Sequence, residues 1–426
     1  MSTEAIWYIF SIVALIWYLV LWAIGLLGCH VARRRYRSRP HSQPSSKDRT
    51  NRPGVSILRP LKGLDTNLYE NLESTFKQDY ANYEIIFSVA DEDDEALHVV
   101  DALVKRYPQV KTSIIVGEEV VGINPKVNNL IRPFRKAAHD ILWVIDSGIM
   151  VDSGTLSRSM DVLTGELSRK QSNPVALIHH VPFALVNEPS VGTQIEAAFL
   201  NTNHAKMYLA INTVGIESCV VGKSNIYRRS DVERLNASMI PIRQQVARNF
   251  QPSLYGVPAF GKYLAEDNMI ASALWHELGL RHDLSCDIAR NVIGNMSFMD
   301  YVWRRVRWIR VRKHMVLAAT LLEPLTESLA LVLIGSFAFH SLLNVSPWIF
   351  CPLHVILWLI VDLDVYASLA GHQMSKGSFL SFIGAYTARE VLAFPIWLIA
   401  VFGNEIIWRG QRYEVFQNGQ ARLAHS

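Results

Sequence analysis

The stretch Ile141-Leu142-Trp143-Val144-Ile145-Asp146-Ser147-Gly148 decides the fold. Its five apolar residues read as a buried strand, and the run stops on an acid that enters a glycine-bearing turn. A lone carboxylate beside a buried strand is costly to place without a partner. The carboxyl ends of strands are also where α/β sheets meet their ligands. Asp146 can therefore face a nucleotide or a divalent cation, or it can be a turn acid held by a neighbour.

Working outward, the same pattern repeats. Val55-Ser56-Ile57-Leu58 is a short apolar strand stopped by Pro60 and Gly63. Leu68, Leu72 and Phe76 fit one helical face. Tyr83 to Ala90 reads as a strand followed by the acidic run Asp91-Glu92-Asp93-Asp94. Leu97 to Tyr107 reads as a helix ended by Pro108, Thr112 to Val116 as a third strand, and Val175 to His179 as a fifth. Strands alternating with helices predict a parallel sheet. Asp94 then faces the same crevice as Asp146, or it belongs to a solvated turn that caps the next helix.

The ends of the chain differ from its middle. Ile6 to Leu27 carries no charge and is long enough to span a hydrocarbon core of about 30 Å. Glu4 precedes it, and Arg33, Arg34, Arg35, Arg37 and Arg39 come after it. The positive-inside rule places the chain beyond this run in the cytosol, so it is a retained signal anchor rather than a cleaved signal peptide. From Ser38 to Gly54 the chain is rich in Ser, Pro and Arg, as a flexible linker is.

Three further apolar runs lie at about 316–339, 347–370 and 382–402, interrupted by Glu323, Glu327, Asp362, Asp364, Arg389 and Glu390. Charges at such depth must be paired or face a protein-lined cavity, so some of these runs can be re-entrant rather than spanning. If all three cross, the tail from Asn404 lies across the membrane from the central domain.

Half of the 426 residues are hydrophobic and the net charge is only +4, with the basic residues clustered beside apolar runs. That favours orientation in a lipid bilayer over nucleic-acid binding. Cys29, Cys219, Cys286 and Cys351 show neither metal nor redox spacing and form no disulfide framework.

Four more motifs carry chemistry. Glu266-Asp267 opens a probable helix, either as acids suited to its dipole or with a general base for an acceptor hydroxyl. Lys126, in Gly122-Ile123-Asn124-Pro125-Lys126, sits at a helix start that suits an anion, or in an ordinary capped loop. His204 lies in the polar patch Asn203-His204-Ala205-Lys206 and is structural or catalytic. Arg304, Arg307 and Trp308 share one helical face just before the apolar runs. They are a basic membrane anchor, or a clamp for a phosphorylated donor above a lipid acceptor.

In this order, Asp94, Asp146, Asp267 and Arg304-x-x-Arg307-Trp308 resemble the inverting GT-A-type glycosyltransferases of membrane-bound lipid and polysaccharide synthesis. Finer strings resemble the ceramide glucosyltransferases: Pro60-Leu61-Lys62-Gly63-x-Asp65, Gly122 to Leu130, Trp143-x-x-Asp146-Ser147-Gly148-Ile149, Ala265-Glu266-Asp267 and Trp408-Arg409-x-x-Arg412-Tyr413. The similarity runs from the first apolar helix to the tail.

The resemblance implies an α/β fold: a GT-A-like, Rossmann-type nucleotide-sugar domain with N-terminal and C-terminal transmembrane helices. It implies UDP-glucose as donor, ceramide as acceptor, and a divalent cation, Mg2+ or Mn2+, near Asp146. Asp94 would hold the uridine, Asp146 the diphosphate and metal, and Asp267 would be the base. Arg304, Arg307 and Trp308 would secure the diphosphate and the acceptor site, and His204 would contact the active site. Gly148 stands where many relatives carry a second acid of an Asp-x-Asp pair, so Asp146 alone cannot complete an octahedral metal site. The segment from Ala237 to Tyr263 is longer than expected of animal members.

The expected organisation is a signal anchor at 1–30, a basic linker at 31–54 and a cytosolic catalytic domain at 55–300. Beyond it lie an interfacial basic helix at 301–313, membrane helices at 314–403 and a tail at 404–426. The family places such a chain in the Golgi or endoplasmic reticulum membrane, while nothing in the residues sets an oligomeric state. The competing readings are a processive polysaccharide synthase, which needs more spanning helices for a channel, and a non-catalytic membrane protein that binds nucleotide sugar or lipid.

Overall fold

The computed structural model describes residues 2–37, 52–165, 174–247, 251–408 and 410–424. Most of the expected linker, and Arg409 of the tail motif, lie outside the described residues. The chain divides into two compact units. A sheet unit comprises Arg39–Glu188, Gly215–Gly294 and Gly419–Ser426, and a helical unit Met1–Ser38, Pro189–Val214 and Asn295–Asn418.

Among the described residues, eight strands of the sheet unit form one sheet: β1 Val55–Pro60, β2 Tyr83–Val89, β3 Thr112–Val116, β4 Ile141–Ile145, β5 Ile149–Met150, β6 Val175–Val186, β7 Ser224–Arg228 and β8 Arg281–Ile293. Their order is β3-β2-β1-β4-β7-β6-β8-β5. The first four are parallel, as the alternation with helices predicts. The prediction of a parallel sheet fails beyond β4, because β7 runs antiparallel to both β4 and β6. The chain re-enters the sheet at the end where β4 leaves it, with Asp146 N donating to Lys223 O at 3.1 Å. Ile57, Phe87, Trp143 and Ile145 are fully buried, with Leu72, Val100 and Leu103 from the helices packed into the same core. Burying such side chains is worth about 1.5–3 kcal/mol each. This core fixes the strand ends that carry the acids.

Among the described residues of the helical unit, three helices are long and apolar enough to cross a membrane: Thr3–Arg37, Pro347–Ala370 and Lys376–Val401. A fourth span is possible if the pair Leu317–Thr326 and Ser328–Leu343, bent by 70°, counts as one. The first helix continues as a π-helical turn over Arg33–Arg37, past the boundary expected at residue 30.

The charges inside the apolar runs are paired. Asp362 accepts from Lys206 Nζ and from Tyr386 Oη, both at 2.7 Å. Arg389 bonds Glu327 at 3.0 Å and also Glu390, Arg312 bonds Glu323, and Asp364 bonds Arg33 and Arg37. This is the arrangement that makes ionised groups tolerable away from water. Glu405–Trp408 and Gln411–Val415 form an antiparallel pair within the tail region.

Candidate active site

In the sheet unit the site grows from the end of β4. Ile145 pairs with Ser224, so the residue before β7, Lys223, lies beside Asp146. Its Nζ is 3.1 Å from Asp146 Oδ2. From the other side comes the helix Pro125–Lys136, whose N-cap Asn124 accepts from the backbone N–H groups of Lys126 and Val127. That cap directs the Lys126 side chain onto three carboxylates. Lys126 Nζ lies 2.8 Å from Asp146 Oδ1, 2.9 Å from Glu266 Oε1 and 2.8 Å from Asp267 Oδ2.

Glu266 and Asp267 open the helix Glu266–Leu278, where the macrodipole favours acids. Asn124 Nδ2 donates to Glu266 Oε2 at 2.7 Å and to Tyr263 O at 2.8 Å. Asn225 Nδ2 donates to Asp267 Oδ1 at 3.3 Å. The end of the long segment from Ala237 to Tyr263 is therefore packed against the Lys126 turn, with Phe260 and Tyr263 buried. Asn124 N also donates to Gly261 O at 3.0 Å.

These neighbours set the charge states. Burial works against ionisation of Asp146, but Lys126 and Lys223 hold its carboxyl down at about 2. Burial would also lower the Lys126 amine, yet the charges of Asp146, Asp267 and Glu266 keep it well above its ordinary value. Glu266 is pushed up to about 8 by burial and then by the Asp267 charge, against the pull of Lys126.

Asp94 caps the next helix, one of the two roles its position allows. Its two oxygens accept from Gly63 N, each at 3.0 Å, and Oδ1 accepts from Ala96 N at 2.9 Å. It thus ties the turn after β1 to the start of the helix Ala96–Arg106. Gly63 takes φ +66° there, a conformation that suits glycine. The buried Arg59 donates to Ile149 O and Ser147 O, and Ser147 Oγ donates to Asp65.

Lys223, Asn225 and Arg59 are not among the residues that the sequence singles out. Arg59 has a signal, a lone cation inside an apolar strand. Lys223 and Asn225 have only the glycine at 222 before them.

The residues do not fit a divalent cation on Asp146 as they stand. Both of its oxygens face ammonium groups. Among the described residues no three His, Cys, Asp or Glu groups are arranged to hold an ion.

The helical unit brings together the other expected residues. Ser297 and Asp300 form a capping box that starts the helix Phe298–Lys313. Arg304, Arg307 and Trp308 lie on one face of it, each partly exposed. Arg304 Nε donates to Glu196 Oε1 at 2.8 Å, and its guanidinium lies 5.2 Å from the Trp308 ring centre. Arg307 makes no hydrogen bond or ion pair among the described residues, and burial, then the Arg304 charge, lower it to about 10.

His204 ends a π-helical turn over Leu200–His204 and stacks on Tyr208, with Phe199 and Trp308 beside it. Its Nδ1 is buried and has no hydrogen-bond partner among the described residues. Burial first, then the charges of Arg305 and Arg312, lower His204 to about 3, so the ring is neutral. Glu196, fully buried, is a further residue that the motifs miss. Its signal is an acid inside Ile195-Glu196-Ala197-Ala198-Phe199.

An α/β sheet with Asp94 after β2 and Asp146 after β4, on either side of β1, is the layout of a GT-A-like glycosyltransferase. The profile of glycosyl transferase family 21 matches residues 13–421, and the chain belongs to that family. It is 35% identical to a ceramide glucosyltransferase of Komagataella phaffii, over 95% of this chain and 90% of the relative. It is 31% identical to one of Candida albicans, over 94% and 95%. Ceramide glucosyltransferase 1 of Caenorhabditis elegans is 28% identical over 87% of this chain and 74% of its own length. Among solved structures, a mannosyltransferase from Pyrobaculum calidifontis in complex with GDP-Man and Mn2+ covers 92% of this chain and 97% of its own. Its sequence identity is 16% and its TM-score 0.46.

Proposed function

We propose that this membrane glycosyltransferase moves glucose from UDP-glucose to the primary hydroxyl of ceramide with inversion, giving glucosylceramide and UDP. The observation that carries the chemistry is the convergence of Asp146, Glu266 and Asp267 on the Lys126 ammonium. The choice of substrates is supported by the ceramide glucosyltransferases that this chain resembles over nearly its whole length.

Asp267 is the candidate base. Lys126 holds its Oδ2 at 2.8 Å, while Oδ1 accepts the longer bond from Asn225 Nδ2 at 3.3 Å. Oδ1 is thus the oxygen placed to take the acceptor's proton. The freed alkoxide electron pair forms the bond to the anomeric carbon, and the bond from that carbon to the diphosphate oxygen breaks on the opposite face. UDP leaves with the electron pair of the broken bond, as an anion, and needs charge stabilisation rather than a proton. Arg307, with Arg304 and Trp308, is proposed to supply it, because Arg307 carries an uncommitted planar fork suited to phosphate.

Asp94 is proposed to act on the uridine side through the Gly63 turn that it holds. His204, being neutral, is proposed to contact substrate as a hydrogen-bond partner rather than as an acid. The divalent cation expected on Asp146 would have to displace an ammonium group there. Residence in the Golgi or endoplasmic reticulum membrane, with the sheet unit facing the cytosol, is inferred from the same family and from the arginines after the first apolar helix.

The deciding assay offers labelled UDP-glucose or UDP-galactose to membranes holding the full chain, with ceramide or diacylglycerol as acceptor. Glucose on ceramide is the expected product. Glucose on diacylglycerol but not ceramide overturns the acceptor, and galactose transfer in preference to glucose overturns the donor.

A further inference from the structure

Lys126 occupies a position that a side chain takes only when held there. It lies in the first turn of a helix, where the macrodipole opposes a cation. Its side chain is mostly buried, at 16% exposure. What holds it is negative charge from three directions: a strand end (Asp146) and two successive residues of a helix start (Glu266, Asp267). Its Nζ donates to Asp267 Oδ2 at 2.8 Å. Glu266 Oε1 pairs with the same ammonium at 2.9 Å. The ammonium is therefore acting as a compact point charge, which is the character of lysine rather than arginine.

A divalent ion at the same place would need about six oxygen ligands. Here Asp146 Oδ2 is taken by Lys223 and Glu266 Oε2 by Asn124. It would also have to displace the Lys126 ammonium while sharing Asp146 with that of Lys223, and like charges a few ångströms apart in a buried site repel strongly.

We propose that Lys126 is the resident cation of this cluster: its ammonium takes the position a divalent ion would need, fixes the direction of Asp267, and leaves transfer independent of a metal bound by Asp146. This rests on the glycosyl-transfer reading above. Lys126 is a positioning residue, acting on the acceptor through Asp267. The backbone is built for it. Gly222 leaves the space into which the Asp267 carboxylate fits, and Asn124 caps the Lys126 turn while also holding Glu266.

The test uses the full chain in detergent or nanodiscs, with Mn2+ alone as probe and no nucleotide, read by electron paramagnetic resonance. Transfer is measured before and after EDTA. Wild type is expected to leave Mn2+ in its free hydrated form and to keep its transfer rate in EDTA. Lys126→Ala is expected to lose about 10²-fold or more in transfer, because the base is no longer aimed. It should bind Mn2+ between the emptied carboxylates and recover part of its rate with that ion. Adding Asp146→Asn should abolish both the binding and the recovery.

Transfer by wild type that is lost in EDTA and restored by Mn2+ overturns the proposal. So does Mn2+ bound by the wild-type cluster, a fully active Lys126→Ala, or a folded Lys126→Ala that binds no Mn2+. If Lys126→Ala does not fold, the two wild-type measurements still decide. If wild type transfers no glucose to ceramide, the functional reading has failed, and the resonance measurements judge this proposal on their own.

Discussion

Gly222 and Asp267 are in such close contact that a Cβ on residue 222 would stand 1.9 Å from Asp267 Oδ2. Cγ and Cβ of Asp267 would stand 2.5 and 2.7 Å away, so an added methyl group displaces Asp267 and the helix start that it opens rather than the strands of the sheet. Gly222→Ala should therefore keep the fold and lose transfer by about 10²-fold, since a displacement near 1 Å at a reacting group costs that much. Melting temperature and initial rates on the same preparation check it. A variant with full activity would mean that Asp267 is not held where the reaction needs it.

The Arg307 side chain separates charge from geometry. Arg307→Lys keeps the positive charge beside the membrane but loses the planar two-point fork. Membrane insertion, followed by fractionation, should be unchanged, while transfer falls and the KM for UDP-glucose rises. Equal activity in the two proteins would leave only an anchoring role for this helix.

Within the helical unit, Lys206 and Asp362 form an ion pair with both side chains fully buried. Lys206 Nζ also lies 3.8 Å from the Trp358 ring centre. Asp362→Asn removes one charge and leaves the other without compensation, a change that costs about 3–5 kcal/mol in buried pairs. A large drop in thermal stability in detergent is expected. Joint replacement, Lys206→Met with Asp362→Leu, should recover most of it, and a double variant as unstable as the single one would contradict this account of the pair.

His204 supplies a pH dependence with a definite sign. Its folded-state value is lowered from 6.5 to about 3, by burial and then by Arg305 and Arg312. Below 6.5 the unfolded chain binds a proton that the folded chain refuses, so this residue's share of stability is full above 6.5 and is lost as the pH falls toward about 3. Wild-type melting temperature should drop over that interval more steeply than that of His204→Gln. Parallel curves would show that the ring is not held neutral.

Much of the sheet can be read from the residues, and particular elements show why the rest cannot. The apolar runs at 55–58, 83–90, 112–116 and 141–145 match strands β1 to β4. The three inner ones, β1, β2 and β4, are nearly continuously apolar because they are buried on both faces, whereas β3 is a partly exposed edge strand. The next strand in the sheet, β7, Ser224-Asn225-Ile226-Tyr227-Arg228, is half polar, and its reversed direction depends on where the chain returns to the sheet. Nothing local in the sequence encodes that return, so Lys223 and Asn225 cannot be read as neighbours of Asp146 and Asp267. Lys126 is visible as a cation at a helix start, but its three carboxylate partners come from about 20 and 140 positions away, beyond the reach of local pattern. The charges in the apolar runs are legible in kind, since burial demands partners, though not in identity.

The central claim is that Asp267 activates the acceptor hydroxyl for attack on glucose. It is tested most directly by Asp267→Asn, which keeps the size of the side chain and removes the base. UDP binding and melting temperature should stay near those of wild type, while glucose transfer from UDP-glucose to ceramide falls by about 10²–10⁴-fold, the range that general-base catalysis supplies. An Asp267→Asn enzyme that folds, binds UDP and transfers glucose at the wild-type rate would contradict the account.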